Sequence, residues 1–474
     1  MKEYSDKLTH LIDSIKQYKM SEVFVIESIG GQAYTYADVY EKANRLGLHL
    51  LKSRKSEFII CSRNSFELFI FYFAAMFFNL TIIPVDPDKS TEEIEKIRGI
   101  HSSAVFYSDD DVNKIMKNLP EVTVDTIGIE NVDLMKTYLI TYTSGSTGEP
   151  KGVKHSVANL FLSALEFGTL MQYDTHTIMC HVMPMTYMAG ILNTIFLPYI
   201  VGGKIVLMPR FSMRSAFQFW NEIAKYQVNT LWLSPMMLRV LDMLDRKGAM
   251  REYLHNANAK ISVGTAPLDN ALRLRIEEKY GLRIYQSYGL SETLFISTET
   301  PDTITSNNSV GKILSGANIK FMEDNELLIS VPWMFQGYLN DSRDKQYTYY
   351  HSGDIGEIIN EELYIRGRKK DIIIRGGFNI NPRDIENVLT ERLIVDECSV
   401  FSLNINGEEN IICCYTGAKN RTINEMNVII QEMLGKKYCL DILEKMQSIP
   451  KNLNGKTDKN KLKDEMEKKY DFKS

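Results

Sequence analysis

Nothing in this chain is apolar for long enough to span a bilayer. The greasiest stretch, LFIFYFAAMFF from Leu68 to Phe78, falls short of the roughly 20 residues a spanning helix needs and predicts a buried helix. The opening MKEYSDKLTH carries mixed charge where a signal peptide would need an apolar run. The six cysteines (Cys61, Cys180, Cys398, Cys413, Cys414, Cys439) show no C-x-x-C spacing, which argues against a zinc site, and a disulfide framework would be out of place in a chain this size. Together these absences predict a cytoplasmic protein with no transmembrane segment. Charge of one sign is also missing. A net charge of -5 speaks against a nucleic-acid partner, and the lysine-rich NGKTDKNKLKDEMEKKY is interleaved with acids, as on a solvated helix face. There is no internal repeat and no low-complexity tract.

What is present is ordinary globular material: 474 residues, 44% hydrophobic and 24% charged, too long for one core. From about Tyr138 to Gly289 strand and helix patterns take turns. TYLITYT, TIMCHVMP, KIVLMP, NTLWLSP, AKISVGT and RIYQSYG read as strands, and VANLFLSALEFGTLM, ILNTIFLPYI, SAFQFWNEIAKY, MLRVLDMLDR and LDNALRLRIEEKY read as helices. Such alternation implies βαβ units and a mostly parallel sheet, with ligands at the carboxyl ends of the strands. After about Arg368 the pattern changes. NPRDIENVLTERL, ECSVFSL, NIICCYTG, INEMNVIIQEML and a last lysine-rich helix predict a compact α+β unit. The fold class expected is therefore a large α/β N-terminal domain with mostly parallel sheets, residues 1–369. A small α+β C-terminal domain, residues 370–474, follows across a joint at GRKKD.

Several short segments have the composition of a site. In YTSGSTGEPKG the glycines Gly145 and Gly148 let backbone N–H groups converge on an anion. Thr143, Ser144, Ser146 and Thr147 add hydroxyls, and Lys151 adds a mobile charge. The spacing is not that of a Walker loop, and on composition alone the stretch reads equally well as a polar turn. In YQSYGLSET, Glu292 lies just past a strand end beside Tyr288 and Gly289, placed to hold Mg²⁺ between phosphate oxygens or simply to face solvent from a turn. YHSGDIGEI offers Asp354 in a glycine-flanked turn, GRKKDIIIRGG offers Arg368, and NLNGKTDKNKL offers Lys456 after a glycine. Each of these, taken singly, has an equally simple reading as surface or turn.

Taken in this order, the segments resemble the AMP-forming adenylating superfamily of acyl-CoA synthetases, aryl-acid and amino-acid adenylation domains and firefly-type luciferases. The likeness extends from about Thr35 to Leu462. It implies an enzyme that joins a carboxylic acid to ATP as an acyl-adenylate, releases pyrophosphate, and passes the acyl group to the pantetheine thiol of CoA or a carrier protein. By this resemblance the loop Thr143–Lys151 cradles the β- and γ-phosphates, and Glu292 with Thr147 holds Mg²⁺. Tyr288 packs on adenine, with Gly264, Thr265, Ala266, Pro267, Ser287, Gly289 and Ser291 around the nucleotide. Asp354 and Arg368 take the ribose hydroxyls, and Lys456 reaches both the substrate carboxylate and the α-phosphate. Lys370 is the implied hinge, about which the small domain rotates to bring Arg375–Phe378 to the site, where Gly376 and Gly377 leave room for pantetheine.

The acyl pocket is expected among MPMTYMAG, SVGTAP and YQSYGL, lined by Tyr187, Met188, Thr265, Ser287 and Leu290. The family's acyl-CoA synthetases usually have histidine where Tyr187 stands. Its amino-acid activators usually have aspartate beside that position, where this chain has Thr186 and Met188. These departures point to a small or medium carboxylic acid, aromatic acids included. The ending NLNGKTDKNKL resembles carrier-protein-loading relatives, and GRKKDIIIRGGFNINPRDIE resembles CoA ligases. The rival readings are an amino-acid adenylation enzyme that loads a carrier protein and, in a different class, a non-catalytic nucleotide-binding homologue.

Overall fold

In the computed structural model, residues 2–119, 128–144, 150–245, 247–302, 308–341, 347–375, 377–392, 394–405, 408–452 and 456–470 are described. The helix Phe66–Phe77 is apolar on every face and is buried throughout apart from Glu67, with Ser65 capping its start by accepting from the Leu68 N–H. No helix among the described residues is long and apolar enough to cross a membrane. Reciprocal capping boxes open the helices Tyr36–Leu51, Val157–Leu170 and Met213–Lys225, so each begins where the preceding strand or turn hands over a Ser or Thr.

The read alternation is present as parallel strands in the order Ile284–Leu290, Lys260–Val263, Thr230–Leu233, Ile178–His181, Lys204–Leu207 and Val23–Glu27. The sheet as a whole is mixed. Beyond Ile284–Leu290 it continues antiparallel through Leu294–Thr298, Lys312–Ile313, Glu362–Arg368, Tyr350–Ile359, Glu326–Ser330 and Asn318–Phe321. A separate sheet runs Val105–Ser108, Glu57–Cys61, Thr81–Val85, Thr137–Ser144 and Pro150–Ser156, parallel except for its last, hairpin-connected strand. The main apolar core packs between and around these sheets, from Leu8 to Leu363.

Past Leu363 the buried clusters are different ones. Ile373, Ile385, Leu389, Val400 and Met426 form part of one, and Phe401, Ile412, Leu462 and Met466 form part of another. Both pack on the sheet Glu397–Ile405, Glu408–Thr416 and Ile442–Lys445. A short 3₁₀ turn, Lys369–Asp371, joins the two regions and carries no buried residue.

The segment ILNTIFLPYI is not one regular helix. Met188–Ile191 passes into a π turn, Leu192–Phe196, before Leu197–Ile200 resumes α geometry. Thr194 donates its hydroxyl to the Gly190 carbonyl at 2.7 Å and therefore accepts from His181 Nδ1 at 2.6 Å. Gly190 sits so close to the preceding turn that a Cβ would lie 2.0 Å from the Pro184 carbonyl oxygen. We expect Gly190→Ala to lower the unfolding free energy by about 1–3 kcal/mol through backbone displacement. Urea denaturation monitored by fluorescence would show the loss, and a variant as stable as the parent would contradict this packing.

Candidate functional site

The antiparallel register sets Asp354 directly opposite Arg368. Arg368 Nε lies 2.8 Å from Asp354 Oδ1, and Tyr288 donates its hydroxyl to Oδ2 at 2.6 Å. The turn before Asp354 is built by Gly353 at φ +68°, with the Asp354 N–H bonded to Ser352 Oγ at 3.0 Å. Asp354 is 3% exposed. Burial raises its pKa above the ordinary 3.8, against the opposing pull of Arg368, the Tyr288 hydroxyl and the Lys456 ammonium. Burial and the Asp354 charge raise the Tyr288 phenol, so that group stays a donor. Lys456, supplied by the segment beyond the joint, thus stands within electrostatic reach of a carboxylate far away in the chain. Tyr288, Asp354 and Arg368 form one hydrogen-bonded cluster, and the Lys456 charge reaches its carboxylate.

Beside it, the strand Lys260–Val263 ends opposite Gln286, and its parallel neighbour Ile284–Leu290 runs on to Leu290. Gly264, Thr265, Ala266 and Pro267 turn away from the end of the first. Thr265 takes φ +72°, a strained value for a β-branched residue, and its buried Oγ1 has no hydrogen-bond partner within the protein. A strained residue with an orphaned hydroxyl at a strand end is suited to meet a ligand. Ser287 uses its hydroxyl within the sheet, 3.0 Å from Thr298 Oγ1. Gly289 has no room for a side chain, since a Cβ would meet the Leu294 carbonyl oxygen at 2.2 Å. The Ser291 carbonyl is held by His155 Nε2 at 2.7 Å and the Glu292 carbonyl by the Phe335 N–H at 2.9 Å. His155 is fully buried and its pKa is pushed down to about 4. Tyr338 donates its hydroxyl to Glu292 Oε1 at 2.8 Å.

Thr143 and the backbone of Ser144 close the strand Thr137–Ser144. Gly145, Ser146, Thr147 and Gly148 lie outside the described residues, as does Gly376. Lys151 is the second residue of the returning strand Pro150–Ser156, and its ammonium sits 5.4 Å from the centre of the Tyr338 ring. His101 joins Tyr142, just ahead of the loop, at 2.8 Å. Among the described residues no three His, Cys, Asp or Glu side chains group as a metal site. The Glu292 carboxylate, which shares Tyr338 as a neighbour with Lys151, would supply one oxygen to a Mg²⁺ ion.

At the other end, Asn64 pins the approach to Tyr187. Its Nδ2 donates to the Met183 carbonyl at 2.7 Å and its Oδ1 accepts from the Met185 N–H at 2.8 Å. Tyr72 donates to the Met185 carbonyl at 2.5 Å. The same Asn64 amide lies 3.3 Å from His181 Nε2, and burial pushes the His181 pKa down to about 3. Tyr187 is partly exposed at the helix start, and Met188 is buried behind it. Leu290 is partly exposed at its strand end. Lys370 is exposed in the 3₁₀ turn, and Gly377 takes φ +80° with open space around it. Sequence reasoning did not single out Tyr338, Tyr350, Asn64, His155 or His181. The crowding of tyrosines in GYLNDSRDKQYTYY, just before the Ser-Gly-Asp turn, was the visible signal for the first two.

A family model described as AMP-binding enzyme matches residues 13–339. A 2-succinylbenzoate–CoA ligase of Bacillus pumilus is 25% identical over 462 residues, covering 91% of this chain and 93% of that protein. A malonate–CoA ligase of Arabidopsis thaliana is 27% identical over 388 residues, covering 72% of this chain and 63% of its own length. Among solved structures, ATP-bound MatB from Rhodopseudomonas palustris superposes with a TM-score of 0.85 at 19% identity, covering 97% of this chain and 99% of that one. That likeness shows a shared two-domain fold.

Proposed function

The chain belongs to the AMP-binding enzyme family, and on that premise we propose that it is an ATP-dependent acid–thiol ligase. It activates a small or medium carboxylic acid as the acyl-adenylate and transfers the acyl group to CoA. The observation that carries this reading is the buried Tyr288–Asp354–Arg368 cluster, whose carboxylate also feels the charge of Lys456 from beyond the joint. A nucleotide bound there has its ribose hydroxyls at Asp354 and its adenine against the Tyr288 ring. The α-phosphate then faces Lys456, and the outer phosphates face Thr143–Lys151.

The chemistry follows from electrostatics. A carboxylate oxygen of the acid attacks the α-phosphorus and the bond to pyrophosphate breaks. Lys456 stabilises the negative charge as it spreads over the reacting oxygens. Glu292, with Thr147, would hold Mg²⁺, which would neutralise charge on the departing phosphates. In the second half-reaction the CoA thiolate attacks the acyl carbonyl and AMP leaves. We assign residues 370–474 as the moving unit, Lys370 as its hinge, and Gly376–Gly377 as the approach for pantetheine. The separate cores on either side of Lys369–Asp371 support that division.

CoA as acceptor is supported by the names of the relatives, both CoA ligases. Their acids, malonate and 2-succinylbenzoate, fall within the small-to-medium range, the second of them aromatic. ATP–pyrophosphate exchange across malonate, 2-succinylbenzoate, benzoates, short fatty acids and α-amino acids tests the reading, with CoA thioester then measured by mass spectrometry. Exchange and thioester are expected with at least one non-amino carboxylic acid. Exchange with α-amino acids alone would favour a carrier-loading adenylation enzyme, and no exchange with any acid would favour a non-catalytic nucleotide-binding homologue.

A further inference from the structure

We infer that Tyr338 is the positioning residue that ties Lys151 and the strand Pro150–Ser156 to the Glu292 carboxylate, so that the groups facing phosphate and its cation are set by one assembly. The inference rests on the ATP-dependent reading of this site.

Three kinds of contact meet on Tyr338. Its hydroxyl donates to Glu292 Oε1 at 2.8 Å and lies 2.9 Å from the Tyr350 hydroxyl. Its ring face carries the Lys151 ammonium. Its backbone is bridged to Val153, with the Leu339 N–H donating to the Gly152 carbonyl at 2.8 Å and the Lys154 N–H to the Gly337 carbonyl at 3.1 Å. The strand that leaves the loop is therefore paired with the segment that holds Glu292. That segment grips Glu292 twice, since the Phe335 N–H also takes its carbonyl.

The ring has little freedom to swing. Phe335 packs edge-on at 5.0 Å between centroids, and Asp341 Oδ2 accepts from both the Tyr338 N–H and the Tyr347 hydroxyl at 2.8 Å. The Glu292 charge reaches both Tyr338 and Tyr350, and burial with that charge keeps the two phenols protonated. A donor fixed on Oε1 aims the carboxylate without neutralising it. Lys151, held over the ring only by a weak contact, can transfer to an arriving phosphate.

Tyr338→Phe keeps the ring and removes the hydroxyl. Calorimetry of ATP binding, with and without Mg²⁺, is the test. We expect MgATP to bind about 10-fold more weakly to the variant, the size expected for a hydrogen bond to a charged group. Metal-free ATP should bind as it does to the parent. Adding Tyr338→Phe to Glu292→Ala should cost nothing further, because the alanine already removes the acceptor of the Tyr338 hydroxyl. Tyr350→Phe, the second variant, should show a smaller loss confined to the Mg²⁺ arm. Unchanged MgATP binding in both variants overturns the inference, as does an equal loss with and without Mg²⁺. Failure of the parent protein to bind ATP at all would instead overturn the reading beneath it.

Discussion

Lys456→Ala is expected to slow acyl-adenylate formation by about 10²–10³-fold, the usual cost of removing one preorganised group from a developing charge. Thioester formation from a pre-formed adenylate should survive, because the proposed rotation about Lys370 withdraws this lysine before the thiol arrives. The residue is well held for such a role. The Lys456 N–H donates to Asn452 Oδ1 at 3.0 Å, the Asn452 N–H donates back to the Lys456 carbonyl at 2.8 Å, and Lys451 bridges to Thr457 across the same loop. Lys459 pairs with Asp371 at 2.9 Å, one residue past the hinge, so the lysine loop turns with everything beyond the joint. Polar contacts across the joint are modest ones that a rotation can exchange. Arg383 Nη1 donates to the Ile365 carbonyl at 2.8 Å, Asn381 Nδ2 to the Arg366 carbonyl at 2.7 Å, and Arg239 Nη1 to the Asp396 carbonyl at 3.0 Å. Single-turnover measurement of adenylate, alongside thioester formed from synthetic acyl-AMP, separates the two half-reactions. Adenylate made by the variant at the parent rate would remove Lys456 from the chemistry.

The parts of the molecule legible in the sequence were those with a local cause. TIMCHVMP, KIVLMP and NTLWLSP could be read as strands because each is a short β-branched run between helical patterns, and they pair in parallel as read. The antiparallel half of the large sheet, Leu294 to Arg368, was not assigned, because Lys312–Ile313 and Asn318–Phe321 are short and the longer Tyr350–Ile359 opens on the polar, glycine-containing YHSGD rather than on an apolar alternation. ILNTIFLPYI reads as an ordinary helix, and its π turn comes from a tertiary cause, the buried His181–Thr194–Gly190 chain. Asp354 and Arg368 were found as separate motifs, but their direct pairing is a matter of hairpin register. Tyr338 is the clearest omission. Nothing about one tyrosine in GYLND shows that its hydroxyl meets Glu292 while its ring meets Lys151, since those partners come from different sheets and loops.

Acid is expected to weaken the fold through two buried histidines, one at each end of the site. His155 and His181 are fully buried, and burial depresses their pKa values from 6.5 to about 4 and about 3. A histidine depressed in the folded state binds fewer protons there than when unfolded, so stability rises with pH through this window and falls as pH drops below 6.5. At pH 5 both remain neutral in the fold while their unfolded counterparts are mostly charged. Each then costs about 2 kcal/mol relative to pH 7.5, together about 4 kcal/mol. All three tryptophans, Trp220, Trp232 and Trp333, belong to the large core, so their fluorescence during urea unfolding reports on this region. The drop in unfolding free energy between pH 7.5 and 5 should shrink by about 2 kcal/mol in His181→Asn and again in His155→Asn, whatever each variant loses at neutral pH. An unchanged drop would mean that the two imidazoles are not the groups being titrated. The functional consequence follows from what they hold. His155 fixes the Ser291 carbonyl next to Glu292, and His181 bonds both Asn64, which pins the chain before Tyr187, and the Thr194 hydroxyl in the π turn. Protonating His155 Nδ1 places a charge among apolar neighbours. Protonating His181 Nε2 turns the acceptor facing the Asn64 amide into a donor, so the acyl end loses its brace only at lower pH, near 3, after the phosphate end is strained near 4.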